Sequence, residues 1–194
     1  MANIASVHSV ADSLITFLKN TYPLETTYPC EFKVLSSGDL AEEPEFSGNA
    51  LSLYLYRVII NEHTRNLPLK RAPKDSTPPL SLDLHFLLSV WASGADAEHI
   101  ISTWAMNQIH HHPIMDISSL TGHGEWTADE VVHIIPAELS NEDLMRIWDA
   151  FSPFYRLSIS YIARVIRITP DESPPGQPVV ATRYEYSGKK APLE

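Results

Sequence analysis

Along residues 80 to 90 apolar and polar positions alternate, with Leu80, Leu82, Leu84, Phe86, Leu88 and Val90 separated by Ser81, Asp83, His85, Leu87 and Ser89. A period of two places the first set on one face of a strand. No other run in the chain alternates so regularly. Pro78 and Pro79, just ahead, cannot donate to a sheet ladder and hold the backbone extended, so they mark where the strand begins. The pattern predicts the central strand of a sheet, ending at Trp91.

Other stretches carry weaker versions of the same signals. Ile4, Val7, Ala11, Leu14, Ile15 and Leu18 recur at helical spacing, and Tyr22-Pro23 closes them, which predicts a helix over about 3–21. Cys30, Phe32 and Val34 alternate with Glu31, Lys33 and Leu35, and Leu51, Leu53 and Leu55 with Ser52, Tyr54 and Tyr56; two strands joined by an acidic loop follow, the second extended through Ile60. After Ser93-Gly94, Asp96 is the expected N-cap of a helix with Ile101, Trp104, Ala105 and Ile109 on one side, ended by Pro113. Residues 114–126 read as a loop, and Val131 to Ile135 as a short buried strand stopped by Pro136. Ser140 with Asp143 nearly matches a capping box and opens a helix carrying Leu144, Ile147, Trp148 and Phe151. Leu157 to Ile168 is expected as a second long strand, with Leu157, Ile159, Tyr161, Ala163 and Val165 facing one way. Val179 to Tyr186 reads as a last, exposed strand before a polar tail. The class is α+β (mixed α/β), a single sheet with helices packed mainly on one face.

Composition narrows the partners. At 194 residues and 44% hydrophobic, the chain can bury on the order of 70% of its unfolded surface in one domain. Fourteen basic against 24 acidic residues, a formal charge of -10, argue against nucleic acid and against an anionic membrane, because both need a basic face. No apolar run approaches the roughly 20 residues of a membrane helix, and the N-terminus shows no signal-peptide pattern, so a cytoplasmic protein is expected. The single cysteine, Cys30, excludes an intramolecular disulfide and a multi-cysteine metal site.

Candidate chemistry is sparse. His110, His111 and His112 are consecutive, so on a helix they point about 100° apart and cannot ligate one ion together. They sit where the negative end of a helix dipole favours histidine. His99, His123 and His133 are near in sequence but make no His-Glu-x-x-His. Asp83 and His85 share a strand face roughly 6 to 7 Å apart by strand rise. They suit an acid–base pair, or a buried polar pair under a covering helix or subunit. No phosphate loop, Gly-x-Ser-x-Gly or repeat occurs. Trp91, Trp104, Trp126 and Trp148 read mainly as core anchors, with Trp126 in a loop as a candidate interface residue.

Taken together, Leu53-Tyr54-Leu55-Tyr56-Arg57-Val58 with Asn61 and Arg65-Asn66, the Pro79 to Leu88 strand, His112-Pro113, Leu144 to Trp148, and Pro153 to Tyr161 resemble one family. It is the tail-terminator, or cap, family of phage-tail-like contractile injection systems, which include antifeeding prophages and Photorhabdus virulence cassettes. The resemblance covers about 1–170, leaving 171–194 as a C-terminal strand and polar tail. It implies a phage tail-terminator-like fold and a structural part with no enzymatic activity and no cofactor. Such a part forms a homo-hexameric ring on the baseplate-distal end of the inner tube and sheath and ends polymerisation. Tube protein, sheath protein and further copies of the chain are then the partners. Expected interface residues are Arg57, Arg65, Arg71, Trp126, Arg156, Val179, Tyr184 and Tyr186. Two other readings stand beside it: a metal-dependent hydrolase using His110, His112 or His133 with Asp83, and a monomeric adaptor docking on the Trp126 loop.

Overall fold

The alternating stretch does form the middle of a sheet. In the computed structural model, which describes residues 2–23, 27–62 and 79–168, six strands lie in the order β1-β2-β3-β6-β5-β4. They are β1 (Cys30–Leu35), β2 (Asn49–Ile60), β3 (Leu80–Trp91), β4 (Ile114–Met115), β5 (Val132–Pro136) and β6 (Ser158–Ile168). Only β1 and β2 pair in parallel; β3 runs antiparallel to both its neighbours, β2 and β6. The helices are α1 (Ser6–Thr21), α2 (Ser37–Ala41), α3 (Ala95–His111) and α4 (Asn141–Asp149).

The first face of the sheet carries the main core. Leu82, Leu84, Phe86, Leu88 and Val90 of β3 are buried there with Leu51 and Leu53 of β2 and Tyr161 and Ala163 of β6. Helix α1 covers them with Val10, Leu14 and Leu18, and α3 with Ile101, Ala105 and Ile109. Each fully buried Leu or Phe contributes about 1.5–3 kcal/mol. Leu80 departs from the expected stripe. It is 44% exposed, because it is the first residue of its strand and pairs only with the last residue of β6, Ile168.

A second, smaller core sits on the opposite face, towards the C-terminal end of β3. Leu87 and Trp91 pack there with Leu35, Leu40, Ala50 and Trp148. Both indoles find serine hydroxyls, Trp91 Nε1 donating to Ser52 Oγ at 2.7 Å and Trp148 Nε1 to Ser158 Oγ at 3.2 Å. Helix α4 supplies the cover, opened as expected by Ser140, whose hydroxyl accepts from the Asp143 backbone N–H at 3.0 Å. The acidic loop between β1 and β2 is not wholly irregular. Ser36 and Asp39 form a capping box that opens α2, and Leu40 anchors that helix in the second core. The two longer helices thus lie on one face and the two short ones on the other.

Three other expectations need correction. Gly94, not Asp96, is the N-cap of α3; Asp96 lies inside the first turn, where its carboxylate accepts from Tyr28 Oη at 2.6 Å. Residues 114–126 hold β4 and a 3-10 turn at Gly122–Gly124. Within β6 the alternation slips after Ala163. Leu82 faces Ile166 while Leu84 faces Ala163, so an extra residue bulges out and Ile166 and Ile168, not Val165, point into the main core.

Candidate functional site

Beyond the second core the same sheet face is polar, and Asp83 and His85 lie at its centre. Two residues apart on β3, they share this face as the alternation predicts. Asp83 is 6% exposed. Its carboxylate accepts from Asn61 Nδ2 at 3.0 and 3.2 Å and from Arg164 Nε at 3.1 Å. His85 Nδ1 lies 3.5 Å from Tyr56 Oη, which is 2.9 Å from Ser160 Oγ. Burial lowers the His85 pKa, and the positive charge of Arg57 adds to that more than Asp83 opposes it. The imidazole is accordingly neutral at pH 7.

Three arginines border this cluster. Arg57 stands opposite His85 and Arg167 opposite Ser81, and Arg164 reaches Asp83; all three are exposed. A groove of about 540 Å³ runs from Arg57 and His85 towards α4, lined by Tyr54, Tyr56, Arg146 and Phe151. The bulge between Leu55 and Arg57 is what turns Arg57 onto this face.

The Ser160 hydroxyl contacts Tyr56 and not His85, so no serine nucleophile–base–acid relay is assembled here among the described residues. Asp83 is occupied by Arg164 and Asn61. Among the described residues no group of three His, Cys, Asp or Glu side chains is placed to hold a metal ion. His111 Nδ1 lies 2.7 Å from the Asn107 carbonyl oxygen at the end of α3, and His112 packs edge-on to Phe17. His133 lies on β5, opposite Arg164. The hydrolase reading therefore has no assembled centre among the described residues. The Cys30 thiol is pushed up to about 12, by burial first and then by the charge of Glu31, which makes it a poor nucleophile.

The expected interface residues separate. Arg57 is on the polar face. Arg156 is half-buried with its guanidinium 5.2 Å from the Trp91 ring, a cation–π contact that ties it to the second core. Trp126 is half-buried, its Nε1 donating to Ser9 Oγ at 2.9 Å, so its indole is engaged with α1. Arg65, Arg71, Val179, Tyr184 and Tyr186 lie outside the described residues. Arg164, Arg167, Tyr56 and Asn61 were not singled out as site residues by sequence reasoning. Their convergence depends on cross-strand register, and only the polar phase of β6 at Ser158, Ser160 and Arg164 hinted at it.

Comparison with known proteins decides the family. The Pvc16 N-terminal domain family matches residues 9–182, nearly the whole chain. The chain belongs to that family. Its fold is also that of two solved structures. One is the sheath/tube terminator, in its extended state, of PVC, an extracellular contractile injection system, with TM-score 0.54 and 14% identity over 95% of this chain. The other is the tube-terminating cap of the anti-feeding prophage, with TM-score 0.52 and 13% identity over 93% of this chain. The chain spans 65% and 60% of the lengths of those two proteins. No curated protein matches its sequence. The phage tail-terminator-like fold expected from the sequence is thus found.

Proposed function

We propose that this Pvc16 N-terminal domain protein is a structural terminator of a contractile, phage-tail-like particle. In that role it forms a ring on the baseplate-distal end of the inner tube and sheath and stops their growth. The observation that carries the reading is the family match over residues 9–182, supported by the shared fold of a sheath/tube terminator and a tube-terminating cap. The site agrees with a binding role, since its charged groups are arranged on an open sheet face beside a groove and not around a reacting atom. A ring requires two unlike patches on each copy, with a rotation that closes; a hexamer is the proposed closure. The partners are tube protein, sheath protein and the chain itself, and residues from Pro178 onward, with Val179 to Tyr186 among them, are proposed to reinforce the ring or the sheath contact.

The test is deletion of the gene from a particle-producing strain, followed by electron microscopy of purified particles. Tubes of irregular length with bare distal ends are expected, with uniform length restored by the chain supplied from a plasmid. Particles of normal length with an unchanged cap would overturn the proposal.

A further inference from the structure

The described surface carries two unlike charged patches on one face of the sheet, at opposite ends of its long strands. At one end, Glu42, Glu43 and Glu45 are exposed within four residues of one another, and none of their carboxylates makes a hydrogen bond or ion pair among the described residues. Their loop is anchored on both sides. Leu40 is buried in the second core on one side, and on the other the Phe46 ring packs 5.2 Å from Trp91 at the end of β3. At the far end lie Arg57, Arg164 and Arg167, all exposed. Arg164 pairs with the buried Asp83. Arg57 and Arg167 make no ion pair among the described residues.

From Trp91 to Ser81, the partner of Arg167, the strand spans about 30 Å at roughly 3.3 Å per residue. Screening at physiological salt falls off over about 8 Å, so the patches cannot neutralise each other within one copy. Some acidic groups are already engaged, Glu130 accepting from the backbone N–H groups of Ala2 and Thr127 and Asp116 from Ser118. No other stretch of the described residues carries three exposed glutamates within four positions. In a chain of net charge -10, an exposed arginine cluster is the surface that a second acidic copy meets without repulsion.

We infer that the acidic loop Glu42–Glu43–Glu45 of one copy seats on the Arg57, Arg164 and Arg167 face of a second copy. The contact joins unlike patches and so links copies head to tail. It rests on the terminator proposal for the closure of a ring, though not for the contact itself. The groove next to Arg57 is lined by Tyr54 and Tyr56 but also by Glu138 and Asp143, so the carboxylates of the loop are placed on the arginines and not in the groove.

Charge inversion tests this on the full chain by light scattering at low salt. Arg57→Glu with Arg167→Glu, and separately Glu42→Lys with Glu43→Lys, are each expected to weaken self-association at least about tenfold. An equimolar mixture of the two variants should recover it, because every interface then pairs opposite charges. Both variants alter exposed side chains, and thermal melts confirm that they fold; if either does not, Arg57→Gln with Arg167→Gln replaces it. Folded variants with wild-type mass would overturn the inference, as would a wild-type chain that stays monomeric at low salt and high concentration. The size of the wild-type assembly and the state of particle ends report on the terminator proposal, while the charge dependence reports on this contact. A charge-dependent dimer on particles that keep their cap would therefore support the contact and count against ring closure by it.

Discussion

Arg164 reaches from β6 to Asp83 on the central strand, Nε to Oδ2 at 3.1 Å, pairing a half-exposed guanidinium with a carboxylate that is 8% exposed. The extra residue in β6 makes this reach possible, because it lies between the pairs Leu82–Ile166 and Leu84–Ala163, opposite Asp83. The same carboxylate also accepts from Asn61 at the end of β2, so Asp83 ties both neighbouring strands to the central one. Replacing Asp83 with alanine removes the carboxylate that Arg164 and Asn61 share and should cost about 1–3 kcal/mol. Asp83→Asn, which keeps an acceptor oxygen, should cost less. Urea unfolding measures both, and an Asp83→Ala variant as stable as wild type would show that the pair is only superficial.

The stripe on β3 makes a graded prediction. Phe86 is fully buried and Leu80 is 44% exposed, although the sequence presents them as members of one alternation. Phe86→Ala should therefore destabilise by about 3–5 kcal/mol, and Leu80→Ala by no more than about 1 kcal/mol. Equal losses in chemical denaturation would mean that Leu80 is covered in solution.

Gly124 has a packing role. A Cβ there would collide with the Trp126 indole, which is bonded to Ser9 on α1. Gly124→Ala must displace the ring and break that bond, at a cost of about 1–3 kcal/mol. A red-shifted tryptophan emission with a lower melting temperature is the expected result; unchanged fluorescence and melting would refute it.

Acid should loosen the polar face through His85. Its pKa lies below the ordinary 6.5, because burial and Arg57 disfavour the charged ring. As pH falls below about 6.5 the unfolded chain takes the proton first, so stability that is complete above that value is lost as pH drops through the folded pKa. Between about pH 7 and pH 5 the wild-type melting temperature should fall more steeply than that of His85→Gln. Parallel curves would show that His85 titrates as it does when unfolded.

Much of the fold was legible in the residues themselves. The strict alternation at 80–90, the helical spacing at 7–18 and the Ser140–Asp143 cap each report a local periodicity or a local hydrogen bond, and each appears where expected; Ile4, expected on the same helix face, precedes the helix and is exposed. The errors also have local causes. Asp96 has the right side chain for an N-cap, but Gly94 makes the turn first. The acidic run at 36–49 looks like a loop, because α2 is too short to display a helical period.

By itself, the sequence determined the central strand, the class of the fold and the exclusion of a disulfide, since these follow from pattern and composition. Only the tertiary structure decided that β1 runs parallel to β2, and that Asp83 meets Arg164 and Asn61. Likewise, it alone set the acidic loop and the arginine cluster at opposite ends of one face. The reason is physical. Pairing direction, register and the two bulges arise from contacts between residues far apart in the chain, and a bulge changes which face every later side chain occupies without leaving a mark on local periodicity.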